Sequence, residues 1–240
     1  MIKFLQGLLG KKSSSGSADA SSDTEALLKS EPPSVQWLSK DDPKNPFVVD
    51  GYDCLAFVRS MLSSTQDPGV AASFTALRGS LGQEHVGRFP SDSVALDCRL
   101  AYPFDGETSE GVLFKAARME EKWDIYLYGD RLYFSRSWTG GLAFVAQFSV
   151  AGGSLTISQI SASSSGTGMD YRYAVRQVDY LVRSHILKES LPHPLPTGLD
   201  RDPASIGLFS FSQYGWLCCF GTFDETLRRD LAKAQADLPT

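Results

Sequence analysis

The stretch Trp123-Asp124-Ile125-Tyr126-Leu127-Tyr128-Gly129-Asp130-Arg131-Leu132-Tyr133-Phe134-Ser135-Arg136 decides the fold. Gly129-Asp130 suits a two-residue hairpin turn whose first central position needs a positive φ, which glycine adopts without penalty. Closing the turn there pairs Leu127 with Leu132, Ile125 with Phe134 and Trp123 with Arg136 on one face. The opposite face carries Asp124, Tyr126, Tyr128, Arg131, Tyr133 and Ser135. Successive side chains alternate across a strand, so one face is apolar and the other aromatic and polar.

The same logic extends downstream. Thr139-Gly140-Gly141 suits a three-residue loop with glycine in the left-handed region, which places Trp138 opposite Leu142 and Arg136 opposite Phe144. Gly152-Gly153 closes another tight turn, pairing Val150 with Leu155 and Phe148 with Ile157. All three turns keep the apolar residues on one inner face, whereas a one-residue slip would turn them outward. A four-stranded antiparallel meander over about 123–160 is therefore expected.

Further out, Tyr171, Ala174, Val175, Val178, Leu181, Val182, His185 and Ile186 recur at helical spacing and predict a helix over 170–188. Arg172, Arg176, Asp179, Arg183 and Lys188 fall on the rest of its surface. Asp67 as cap, Pro68 at the first position, Val70, Phe74 and Leu77 on one stripe, and Gly79 as a left-handed stop predict a helix over 67–79. Thr222 and Glu225 suit a capping box for a helix over 224–238, with Leu227, Leu231, Ala234 and Leu238 as its stripe. Tyr52 to Leu62 reads as a strand turning near Ser60, although Leu55, Val58, Met61 and Leu62 also suit a helix. Ile206–Gln213 and Trp216–Phe223 read as two further strands after the extended connector Pro192-His193-Pro194-Leu195-Pro196. Val94, Leu96, Cys98, Leu100 and Tyr102 share one parity, which makes Cys98 a core residue. The expected class is α+β, an antiparallel sheet packed by these helices.

Composition sets the outer limits. With 23 basic against 28 acidic side chains, the net charge of −5 argues against a nucleic-acid partner. Cys218 and Cys219 are adjacent and there is no C-x-x-C pair, so the four cysteines suggest a reducing, cytoplasmic setting. Residues 11–34 are Ser-rich and read as a flexible tether, and residues 35–240 as a single globular domain. Ile2, Leu5 and Leu9 share a helical face beside Lys3, Lys11 and Lys12. Residues 1–12 therefore read either as a frayed terminus or as a weak membrane-surface contact, so 1–34 combine a short amphipathic start with the tether.

No phosphate-binding glycine loop, metal-binding helix motif or nucleophile elbow is present, and no metal or cofactor is implied. An enzyme would need a site assembled from distant loops, with Asp41, His85, Arg136, His193 and Cys218 as contributors. Its thiol-dependent form pairs His193 with Cys218 or Cys219. No catalytic residue is assigned. Two features favour binding instead. Tyr126, Tyr128, Arg131 and Tyr133 form a hairpin face of the residue types that dominate interface hot spots, unless a helix covers it. Arg136 and Trp138 flank a Gly-rich tip, where Arg136 either stacks on Trp123 or helps frame an anionic or aromatic ligand. The expectation is a non-catalytic cytoplasmic interaction module that meets another protein through the aromatic hairpin face. The loop-assembled enzyme and a membrane-tethered scaffold are the alternatives.

Overall fold

The computed structural model describes residues 33–163 and 170–227. In chain order the elements are β1 (Gln36–Leu38), β2 (Gly51–Asp53), α1 (Leu55–Ser60), α2 (Pro68–Arg78), β3 (Ser93–Pro103), β4 (Gly111–Phe114) and β5 (Trp123–Tyr128). They continue with β6 (Arg131–Arg136), β7 (Leu142–Ala151), β8 (Ser154–Ser163), α3 (Tyr171–Leu181), β9 (His193–Pro194), α4 (Pro203–Tyr214) and β10 (Phe220–Thr222). The fold is α+β. A six-stranded antiparallel sheet runs in the order β3-β8-β7-β6-β5-β4, and a smaller sheet in the order β1-β2-β10-β9, its β9–β10 pair being parallel.

The first hairpin has the expected register, Trp123 opposite Arg136 through Tyr128 opposite Arg131. The last turn does too, with Val150 opposite Leu155 and Phe148 opposite Ile157. Between β6 and β7 the register is two residues from the expected one: Phe134, not Arg136, faces Phe144. An irregularity between Phe134 and Ser135, which sets Ser135 opposite Leu142, accompanies the shift. Arg136 closes the turn, its N donating to Gly141 O at 2.9 Å and its O accepting from Gly140 N at 2.8 Å, while Ser137 N donates to Lys122 O at 3.1 Å and Trp138 Nε1 to Met119 O at 2.7 Å. A two-residue shift preserves parity, so the inner face survives. Trp123, Ile125, Leu132, Phe134, Phe144, Ala146, Ile157 and Ile160 are buried there with Ala174, Val178 and Leu181 of α3. Burying one of the larger side chains contributes about 2 kcal/mol.

Asp170 caps α3, accepting from Tyr173 N at 2.9 Å, and the helix continues into a π-helical turn over Val182–Ile186. Arg176 and Asp179, expected on its surface, are buried: Arg176 donates to the carbonyls of Thr222 and Asp224, and Tyr102 Oη donates to Asp179 at 2.9 Å. Tyr171, expected on the apolar stripe, is exposed.

Other expectations change. After β2 the chain turns helical rather than extended, because Asp53 Oδ1 accepts from Leu55 N at 3.0 Å and starts α1. Ile206–Gln213 is helical, not a strand. Asp202 accepts from Ala204 N and Ser205 N, and Pro203 takes the first helical position. Only Phe220–Thr222 of the second expected strand is extended, after a 3-10 turn over Gly215–Leu217. Asp67 caps α2 through Gly69 N at 2.8 Å, but Gly79 keeps a right-handed φ of −83° instead of forming a left-handed stop. The expected helix over 224–238 lies mainly outside the described residues, as do residues 1–32 with the amphipathic start and most of the tether. Among the described residues, no helix is long and apolar enough to cross a membrane.

Candidate functional site

The aromatic hairpin face is occupied by the chain itself. Tyr126 and Tyr133 are 1% and 2% exposed. Their cover is the segment 80–89 that follows α2. Gly82, at φ +83°, lies flat on the Tyr126 ring, where any Cβ would collide with it. Gly87 N donates to Tyr133 Oη at 3.2 Å, and Tyr128 Oη donates to Leu81 O at 2.7 Å. The Arg131 guanidinium stands 5.1 Å from the centre of the Phe89 ring. Beneath this cover sits Asp124, 1% exposed. It accepts two bonds from Arg78 at 3.0 and 2.9 Å and one from Ala116 N at 2.9 Å. Lys115 Nζ lies 3.4 Å from Asp124 and donates to Tyr126 Oη at 2.7 Å. Arg78 ends α2, so the buried ion pair clamps the helix and the covering segment onto the sheet. Burial lowers the Lys115 ammonium pKa, opposed by the Asp124 charge.

Arg136 and Trp138 lie at the other end of the hairpin. The Arg136 guanidinium stacks 4.7 Å from the Trp123 ring centre and donates to Ser212 O at 2.6 Å and Gln213 O at 3.3 Å. Those carbonyls belong to the last turn of α4, where a cation complements the helix dipole. Burial pushes the Arg136 pKa down to about 10. Lys122 Nζ sits 4.9 Å from the Trp138 ring centre. The structure thus brings Tyr126, Tyr128, Arg131 and Tyr133 together with the covering segment, and ties Arg136 and Trp138 to α4 and the 119–122 segment.

The catalytic candidates do not converge. Among the described residues no hydrogen bond or ion pair joins any two of Asp41, His85, Arg136, His193 and Cys218. His193 instead meets Ser210, Nε2 to Oγ at 2.8 Å, and Ser210 Oγ lies 3.6 Å from Cys54 Sγ. This serine–histidine pair was hidden from the sequence by the strand reading of 206–213, although Asp202-Pro203 carries the same helix-start signal as Asp67-Pro68. The pair is completely buried between Tyr180 and Tyr214, and His193 Nδ1 has no partner where a hydrolytic triad holds a carboxylate. Burial pushes His193 and His185 down to about 3. It pushes the Cys54 thiol up to about 12 and Cys98 up to about 11, and raises Cys218 and Cys219 as well. Nucleophilic cysteines need the opposite shift. Among the described residues, no group of three His, Cys, Asp or Glu is placed to hold a metal ion.

An open surface lies at one sheet edge. β3 pairs with β8 on one side, and among the described residues no strand pairs with its other side. Val94, Leu96 and Cys98 are half-buried, Leu100 and Tyr102 buried, and the residues between them exposed. A groove of about 520 Å³ runs beside it, walled by Val94, Leu96 and Asp97 of β3 and by Tyr171, Arg172 and Val175 of α3. Arg172 is held by Glu225. The opposite edge, β4, has only four residues, and its Phe114 packs 4.7 Å from His185. Alternation marks 93–103 as a strand in the sequence, but its edge position depends on the order of distant strands. Comparison with protein-family models, curated proteins and solved structures finds no match to this chain.

Proposed function

We propose that the chain is a non-catalytic protein-interaction module whose binding element is the open edge of β3 with the groove beside α3. The observation that carries this reading is an eleven-residue strand, irregular between Asp97 and Leu100, with no partner strand on one side among the described residues, lying against a groove with both apolar and charged walls. An incoming extended segment pairs its main chain with β3 and seats alternate side chains between β3 and α3. The buried histidines and the thiols whose pKa burial raises favour binding over catalysis. Four free cysteines support a reducing, cytoplasmic setting.

A second reading keeps the partner at the hairpin. Leu81, Val86 and Phe89 are 60%, 50% and 49% exposed, a cluster of apolar side chains beside Tyr128 and Arg131. One experiment separates the two. Peptides selected from a random displayed library are bound to the full chain and their footprint is read by hydrogen exchange. The β3 reading expects protection of 93–103 and a loss of affinity of about tenfold or more in Leu96→Lys or in Tyr171→Ser, whose exposed site leaves folding intact. Protection confined to 81–89 would replace it with the hairpin reading.

A further inference from the structure

We propose that the surface around Trp216, with Arg59 and Arg118 beside it, is a second binding site, and that its ligand is an acidic peptide segment of another protein. The site is separate from β3 and does not depend on it.

Three distant parts of the chain build it. Trp216 N donates to Glu120 O at 3.1 Å, and its indole Nε1 donates to Met61 O at 2.9 Å. Gly215 permits this approach: at φ +62° it lies against Glu120 O, where any Cβ would collide. The half-buried indole is thereby pinned between the segment that leaves α1 and the turn before β5. The arrangement brings two cations to one ring. The Arg59 guanidinium, from the last turn of α1, stands 5.9 Å from the ring centre, and that of Arg118 stands 5.3 Å from it. Both arginines are exposed. Leu55, one helical turn before Arg59, is 45% exposed, and Leu62 is 74% exposed.

The unmatched charge points to the ligand. Two like charges held at one ring repel, and a guanidinium bonds most strongly to a carboxylate. The acidic side chains closest in sequence are turned to main-chain groups instead. Glu120 Oε1 accepts from Ser63 N at 2.8 Å, Glu121 Oε2 from Ala117 N at 2.6 Å, and Asp53 Oδ1 from Leu55 N at 3.0 Å. Among the described residues, neither guanidinium has a hydrogen bond or an ion pair. Incoming carboxylates relieve that repulsion and accept charge-assisted bonds. Tryptophan and arginine are also the residue types that dominate interface hot spots. Leu55 and Leu62 add apolar surface, which a peptide carrying apolar side chains among its acids covers and a free anion does not. The net charge of −5 repels a long polyanion more than a short peptide.

Two displayed libraries presented to the full chain test this, one alternating Asp or Glu with apolar residues and the other alternating Lys with the same apolar residues. Selected peptides are measured by fluorescence anisotropy and mapped by hydrogen exchange. The acidic library is expected to yield binders that protect 55–64 and 116–121 and whose affinity falls as salt is raised. Arg59→Glu and Arg118→Glu, at exposed sites that leave folding intact, are each expected to weaken these binders about tenfold or more. Binders from the basic library alone, acidic binders indifferent to both reversals, or a footprint confined to 93–103 overturns the site. A polyuridine oligonucleotide that binds more tightly than the selected peptides, and is lost in the same reversals, overturns the peptide as its ligand. Loss of β3 protection in the earlier experiment leaves this site standing, and failure here leaves the edge reading standing.

Discussion

Asp124 carries more of the fold than its place on a polar strand face suggests. Its carboxylate is enclosed and answered by Arg78, Lys115 and Ala116 N. Removing one member of a buried pair leaves the other charge uncompensated. Asp124→Ala should therefore cost about 3–5 kcal/mol, read as a shift in urea midpoint. The buried histidines make stability depend on pH with a definite sign. His185 and His193 stay neutral in the folded state down to about pH 3, while in the unfolded chain they take up protons below about pH 6.5. Unfolding therefore binds protons in that window. The stabilisation is complete above it and falls as pH drops from about 6.5 toward 3, by roughly tenfold per pH unit in the unfolding constant for each histidine. Urea titrations at stepped pH check this. The raised thiols give a kinetic counterpart: Cys54 and Cys218 should alkylate at neutral pH only as fast as the chain unfolds, and prompt modification of either in the native state would revive the thiol enzyme.

At the scale of elements, what could be read in the sequence followed from how local the deciding interactions are. The Gly129-Asp130 hairpin was legible because turn chemistry and alternation sit within fourteen residues and agree. The β6–β7 register was not, because it turns on an irregularity between Phe134 and Ser135 that the turn residues do not announce. For α4, the short run Ile206–Gln213 fits both periods, and its deciding signal, Asp202-Pro203, stands just outside it. The cover over Tyr126 and Tyr133 was unreadable because residues 80–89 show no periodicity, and Gly82 signals a close approach only once the Tyr126 ring is in place. Gly82→Ala should accordingly destabilise the chain by about 1–3 kcal/mol through its positive φ and the collision with that ring. For α3, Asp170→Ala removes the bond to Tyr173 N and should cost about 1 kcal/mol in thermal or urea unfolding.

For the whole molecule, the two edges of the large sheet are handled differently. β4 is short and its Phe114 packs against His185, whereas β3 is long, irregular between Asp97 and Leu100, and unpaired on one side among the described residues. Proteins ordinarily blunt or cover such an edge, because its unpaired main-chain groups recruit other strands. In β3 the irregularity between Asp97 and Leu100 and the charges of Asp97 and Arg99 interrupt the edge, devices that limit indiscriminate strand pairing. The surface proposed for binding is β3. Hydrogen exchange of the full chain with and without a selected peptide bound is the decisive measurement. Exchange within 93–103 is expected to slow when the peptide binds, while β4 is unchanged. Exchange in β3 that is indifferent to the peptide, with protection gained elsewhere, would overturn the β3 reading.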